Sequence, residues 1–437
     1  MIPMPPSAFV RLRPSPQAHG FAILAVRLGA SLLALIPAML SASGTRVGFK
    51  DAFATARGNA FVATADNPSA IYYNPAGLTQ LQGQEISATA YFLQLNADFH
   101  SAYSSAASSL KKETHLLPQV YYAWAPAGAK WALGLGVYAP FGLSTEWNNS
   151  ATPYMDALFP FATKNKETYT TINPVFAWRL SDTLSIGGGF TFNRLKVDLN
   201  RGVVYSGIPY YGTFRFNADG TDTGYNLGLR WQPAAEHAFG LSYQARTNLG
   251  VSGNTTLLNI PLFSTGTPVT TVQAARANFA FPAVVIAGYS YRPTPQWNLE
   301  ADIDWTNWTC LKTVVVSQAS GPVSLPFNWK SSCFYELGVT RYLPDGWQVS
   351  AGYTLSENSV PDDTWNPAVP DATRHFLCAG VGYAQGPVRF MLTLQRALSG
   401  TRQVNSSGQN AAWLPWSSNG AYRTSIDALA LSVDYRF

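Results

Sequence analysis

The chain has 437 residues and a formal net charge of +5, with only 12% charged and 14% aromatic residues. A soluble domain averages nearer a quarter charged residues, and past the N-terminal region no apolar run approaches the roughly 20 residues of a membrane helix. Low charge, many aromatics and a mean hydropathy near zero suit strands whose side chains face lipid and water by turns, and they argue against a helical membrane protein.

In residues 1–43, Arg11, Arg13 and Arg27 precede an apolar stretch at 28–40, and Ser41, Ala42 and Ser43 supply small residues before Gly44. This is the pattern of an export signal. It holds three positive charges and no acidic residue, so the basic balance of the precursor is no sign of nucleic-acid binding. Residues 44–83 are rich in Ala, Gly and Asn and alternate too little for a strand. They are read either as a periplasmic extension or as a hatch, a plug inside a barrel.

Residues 84–437 read as a fourteen-stranded antiparallel transmembrane β-barrel, an all-β fold. The strands are expected near 84–98, 115–125, 130–143, 167–180, 183–201, 221–232, 236–252, 270–292, 296–315, 329–343, 346–357, 374–384, 387–399 and 424–437. Tight turns rich in Pro, Gly and Asp, such as 125–129, 233–236 and 344–346, alternate with longer polar connections at 144–166, 202–220, 253–269, 357–373 and 400–423. An even strand number and turns of alternating length are features of outer-membrane barrels. Parity is explicit in the ninth strand, where Trp297, Leu299, Ala301, Ile303 and Trp305 oppose Asn298, Glu300, Asp302 and Asp304. Trp297 and Trp347 are expected at the interfacial girdle. The last strand places Leu429, Leu431, Val433, Tyr435 and Phe437 on one face. Its terminal Phe437 is the expected contact for barrel-assembly machinery, and the outer face is expected to meet lipid and lipopolysaccharide.

The fifth strand changes sign part-way. Up to Asn193 its odd residues are small or polar and its even ones apolar. Beyond that point Leu195, Val197 and Leu199 continue the inward parity, while Arg194, Lys196 and Asp198 face out. Either the strand rises above the bilayer and its inward residues line a dry pocket, or a bulge shifts the register by one. Arg201 keeps the inward parity. In the third strand, Pro140, Phe141 and Gly142 should break pairing, since proline cannot donate to the ladder and glycine weakens it. Exposed apolar residues collect in two of the long connections: Tyr205, Ile208, Tyr210 and Phe214 in one, Leu258, Leu262 and Phe263 in the other.

Cys310, Cys333 and Cys378 form no metal-binding spacing, so neither a metal nor another cofactor is expected. A bridge between Cys310 and Cys333 stays open. No histidine pairs by parity with a Ser or Asp in a catalytic arrangement, and inward Glu300, Asp302 and Asp304 are read as carboxylates of a wet lumen rather than acid/base groups. A non-enzymatic protein is expected, with a barrel lipid hydrolase as the weaker rival.

The segment 63–78, ATADNPSAIYYNPAGL, with Asn74, Pro75 and Ala76 just before the first strand, resembles the N-terminal hatch of the FadL/TodX family of outer-membrane transporters. The similarity continues through 282–308 and 329–383. The resemblance implies a fourteen-stranded barrel plugged by a hatch and a hydrophobic small-molecule ligand: long-chain fatty acids first, aromatic hydrocarbons as the alternative. A general diffusion porin is the remaining rival. It further implies a pocket of Leu195, Val197 and Leu199 with Arg201 and Lys330 near a ligand head group, capture by the apolar loops, and lateral exit at Pro140, Phe141 and Gly142.

Overall fold

A computed structural model describes residues 44–148, 156–204, 210–261, 268–405 and 416–437. The expected export signal, residues 1–43, lies outside them.

Among the described residues fourteen strands form the wall: β1 (Gly83–Ser101), β2 (Thr114–Ala125), β3 (Trp131–Tyr138, resumed as Gly142–Glu146), β4 (Lys164–Arg179), β5 (Leu184–Val204), β6 (Tyr210–Ala234), β7 (His237–Gln244, resumed as Thr247–Pro261), β8 (Val269–Phe281, resumed as Val284–Thr294), β9 (Trp297–Thr306), β10 (Ser332–Tyr342), β11 (Trp347–Ser356), β12 (Arg374–Gln385), β13 (Val388–Leu398) and β14 (Gly420–Arg436). Each pairs antiparallel with its chain neighbours, and β1 closes on β14 from Glu85↔Arg436 to Ser101↔Gly420. Closure leaves the barrel without an outermost strand, as hydrocarbon requires because it offers no partner to a free backbone group.

The side-chain period follows the pleat. On β9, Leu299 and Ile303 are exposed while Asn298, Glu300, Asp302 and Asp304 are buried. Trp124 and Trp131 stack edge-to-face at 5.3 Å across the β2–β3 turn, and Trp347 lies 4.7 Å from Tyr383. Aromatics at the short turns mark one membrane interface.

Two expectations about length are corrected. The stretch 202–220 is not a long loop: β5 and β6 stay paired up to Val204↔Tyr211. The Val, Tyr, Phe and Thr residues there are good strand formers, and the ladder outgrows the roughly ten residues needed to cross a bilayer. Tyr210 and Phe214 therefore belong to β6 and Leu258 to β7, whereas Tyr205, Ile208, Leu262 and Phe263 lie outside the described residues. The ninth strand ends at Thr306 rather than 315; a 3-10 turn at Trp308–Cys310 follows, then a separate hairpin of Thr313–Gln318 and Val323–Pro326.

Residues 44–82 are not an extension into water. They are almost entirely buried and fold as α1 (Ala52–Ala56), α2 (Ala70–Tyr73) and a 3-10 turn at Pro75–Gln80. Such short pieces leave many backbone N–H groups without intrahelical partners, and inward carboxylates of the wall take several of them. Asp302 Oδ2 accepts from the N–H of Phe61 (2.7 Å) and Val62 (2.9 Å), and Glu300 Oε1 accepts from Ala63 (2.8 Å) and Thr64 (3.2 Å). Arg57 pairs with Glu300 at 2.9 Å, Asn59 donates to Glu336 at 2.8 Å, and Arg46 pairs with Asp304 at 2.5 Å. Glu300, Asp302 and Asp304 thus do not line a wet lumen; they hold the hatch. Each charge-assisted bond contributes about 1.5–3 kcal/mol.

Close approach is also built in. A Cβ on Gly352 of β11 would lie 1.9 Å from the backbone nitrogen of Gly58. We predict that Gly352→Val displaces the hatch and raises steady ion conductance in planar bilayers well above the near-zero current expected of the unaltered protein.

Candidate functional site

The Asn74-Pro75-Ala76 motif sits against the inner wall. Asn74 Oδ1 accepts from the Ala76 N–H at 3.2 Å, while its Nδ2 donates to Val62 O (2.8 Å) and Leu229 O (3.0 Å). Pro75 opens the 3-10 turn, where its missing N–H costs nothing. Its carbonyl carbon would be 2.6 Å from a Cβ on Gly187, so the glycine run of β5 makes room for the hatch. The motif joins hatch to barrel; it contacts β5 and β6 rather than the cavity above.

That cavity is lined by Val197, Leu199 and Arg201 of β5, Phe214 and Phe216 of β6, Phe279 and Phe281 of β8, and Trp308 and Trp329. The β5–β6 register runs unbroken from Leu184 to Val204, which removes the bulge alternative for the change of sign after Asn193. Outside, the strand is charged: Arg194 pairs with Asp219 at 2.8 Å, and Arg215 with Asp198 at 2.7 Å. Leu195 is fully buried in the same apolar cluster, below the lining.

Arg201 reaches the cavity with its guanidinium 5.5 Å from the centre of the Phe214 ring. Among the described residues it makes no ion pair, and its Nε has no hydrogen-bond partner. Asn165 and Glu167 of β4 add polar atoms to the lining; Asn165 Nδ2 and Glu167 Oε1 are buried without a partner. Lys330 is not part of this site. Asn328 adopts φ of 48°, which turns Trp329 inward and leaves Lys330 exposed. Trp329 takes the place expected of the lysine and packs 4.8 Å from Trp308.

Phe279 and Phe281 were not anticipated, although β8 carries the same signal as β5: Ala275, Ala277, Phe279 and Phe281 are buried while Arg276 and Asn278 face out. No sequence pattern announced the part played by the loop after β11, which brings Asn366, Ala368 and Val369 to the cavity. Arg402 holds that loop by donating to Asn358 Oδ1 (2.7 Å), Val360 O (2.6 Å) and Asp371 O (3.0 Å) and by lying 4.3 Å over the Trp365 ring. Asp371 in turn accepts from the N–H of Gly44 (3.1 Å) and Ser359 (3.0 Å). Burial raises its carboxyl above the ordinary value despite Arg374 nearby.

At Pro140, Phe141 and Gly142 the wall opens. β2 pairs with β1 along its whole length, but with β3 only from Val120↔Val137 to Trp124↔Leu133. Above that, residues 114–119 of β2 have no ladder to β3, and contact resumes where the Lys111 N–H donates to Glu146 O at 2.7 Å. Gly142–Glu146 pairs with β4 alone. Phe141 turns inward to stack 5.7 Å from Trp308, which joins the window to the cavity. All three cysteines are free thiols, so Cys310 and Cys333 are not bridged.

The sequence matches the family described as outer membrane protein transport protein (OMPP1/FadL/TodX) over residues 33–437. The chain belongs to the FadL/TodX family of outer-membrane proteins. It is 24% identical over 401 residues to the long-chain fatty acid transport protein of Escherichia coli K12, covering 81% of this chain and 88% of that protein. In fold it is similar to a Pseudomonas aeruginosa FadL homologue (TM-score 0.78, 17% identity, 90% of this chain and 100% of the other). It is likewise similar to the Ralstonia pickettii toluene transporter TbuX (TM-score 0.68, 17% identity, 89% and 98%).

A bulky side chain at Val197 would project into the apolar space. Val197→Trp is predicted to abolish saturable binding of oleate to the purified barrel, read by isothermal titration, with the heat-stability of the barrel retained.

Proposed function

We propose that this FadL/TodX-family barrel takes up hydrophobic compounds across the outer membrane, with long-chain fatty acids as its main cargo. One observation carries the reading: a largely apolar cavity holds a half-buried arginine, Arg201, whose enclosed Nε has no hydrogen-bond partner and which makes no ion pair among the described residues. An uncompensated buried cation is costly, and an incoming carboxylate would supply the missing charge in a low-dielectric setting. Phe214 and Leu258, on the outer ends of β6 and β7, would be the first apolar surface a ligand meets. Passage is then down its concentration gradient: loops, cavity, displacement of the hatch segment near 44–52, and sideways exit through the window at Pro140, Phe141 and Gly142 into lipid.

Aromatic hydrocarbons are the second reading, favoured by the phenylalanine and tryptophan lining. They would not need Arg201. A general porin is disfavoured by the packed hatch, and the titratable groups that line the wall serve to hold that hatch rather than to assemble a catalytic centre. We further propose that residues 1–43 are an export signal removed before assembly, and that Phe437, exposed at the end of β14, is read by the assembly machinery.

Arg201→Met separates the cargo classes. Loss of a charge-assisted bond should weaken oleate binding about tenfold or more, while toluene binding to the purified barrel stays unchanged. Equal affinity for oleate in both proteins would remove fatty acids as the main cargo.

A further inference from the structure

The window between β2 and β3 is filled from inside by residues Thr45 to Lys50 of the hatch, and these touch both of its edges. On the β3 side, the Val47 N–H donates to Pro140 O and the Gly142 N–H to Thr45 O, each at 3.0 Å. On the β2 side, Gln119 Nε2 donates to Phe49 O at 3.3 Å and the Tyr121 hydroxyl to Lys50 O at 3.4 Å. Lys50 itself is fully buried. Its ammonium donates to Ala139 O at 2.7 Å and to Val47 O, and lies 5.3 Å from the centre of the Tyr72 ring. Among the described residues it has no carboxylate partner; the neighbouring Asp51 is occupied by Asn67 at 2.7 Å, Ser69 at 3.2 Å and Ser432 at 2.8 Å.

We propose that Lys50 is the latch of the lateral window: its ammonium ties the hatch to the free carbonyl of Ala139 at the broken edge of β3, and breaking that tie governs the rate of exit. This rests on the uptake reading above and adds the residue that controls it. A carbonyl left by an interrupted ladder must be satisfied when it borders lipid, and a lysine reaching from the hatch meets that need without sealing the wall covalently. The bond is strong enough to close the window and, because the charge is uncompensated, weak enough to give way. Burial, reinforced by the Arg46 guanidinium, pushes the Lys50 ammonium well below the ordinary lysine value.

The test compares the full-length barrel with Lys50→Met, an apolar replacement of similar length that removes the donor without leaving an unpaired charge. Amide hydrogen exchange is followed in phospholipid nanodiscs at Val47 and Gly142, and oleate uptake is followed in cells that depend on this protein. The expected result is exchange about tenfold faster at both amides, the change that one lost charge-assisted bond provides. Maximal uptake should rise severalfold, with the half-saturating oleate concentration unaltered because the cavity is untouched. Gln119→Leu, which loosens only the β2 side, should shift exchange in the same direction by less. Unchanged exchange in Lys50→Met overturns the latch, and faster exchange with unchanged maximal uptake overturns its control of exit. Absence of oleate uptake in the unaltered protein would instead overturn the uptake reading, and the exchange result would still decide whether Lys50 holds the hatch.

Discussion

Hydrocarbon cannot hydrogen-bond, and from that constraint the rest of this structure follows. A barrel answers it by pairing every strand on both sides, yet β2 and β3 part above Val120↔Val137. Behind the gap the protein brings up a second layer, whose backbone pairs with the β3 edge and which β2 meets through the side chains of Gln119 and Tyr121. Residues Thr45 to Val47 run along Pro140–Gly142 as an internal substitute strand, with Arg46 bridged to Phe141. The hatch therefore does more than obstruct the lumen: it completes the wall.

That role demands a rigid anchorage elsewhere, and the wall supplies it through acidic side chains. Three consecutive inward positions of β9, Glu300, Asp302 and Asp304, accept from hatch backbone amides or pair with Arg57 and Arg46. Removing one partner of such a buried pair costs about 3–5 kcal/mol. The body of the hatch, from Arg57 to Thr64, is thus bound to the β9 side of the barrel. Its leading segment is tied to β9 by the Arg46–Asp304 pair and meets β2 and β3 through neutral contacts and Lys50.

Much of this was legible before any coordinates. Strand number, parity and the turns follow from a period-2 pattern that lipid on one side and polar groups on the other impose. The inward sequence Val197, Leu199 and Arg201 pointed to the cavity wall as one of two readings, and the unbroken β5–β6 register removed the other, a bulge. The same change recurs on β6, where Phe216 and Ala218 are buried and Arg215, Asn217 and Asp219 face out, and on β7 and β8. Other features resisted. Lys330 was placed near the head group only by resemblance to the family, whereas in the fold Trp329, next to the positive-φ Asn328, is the residue that is buried. Strand length was underestimated because membrane thickness bounds only the part in lipid. The acidic residues of β9 were read as facing water because their partners, hatch amides together with Arg57 and Arg46, are distant in sequence, and a backbone amide leaves no trace in residue identity.

The inverted halves of β5 to β8 have a mechanical consequence. Outside, β5 and β6 carry ion pairs suited to an aqueous or saccharide layer, and inside the four strands are apolar, so on the proposed route a molecule entering the cavity would shed its water before it comes level with the acyl chains. On that route, dehydration and entry into lipid would be two events at different heights, one controlled by the upper strands and the other by the edge at β3. Evolution can then retune what is admitted without disturbing how it is let go.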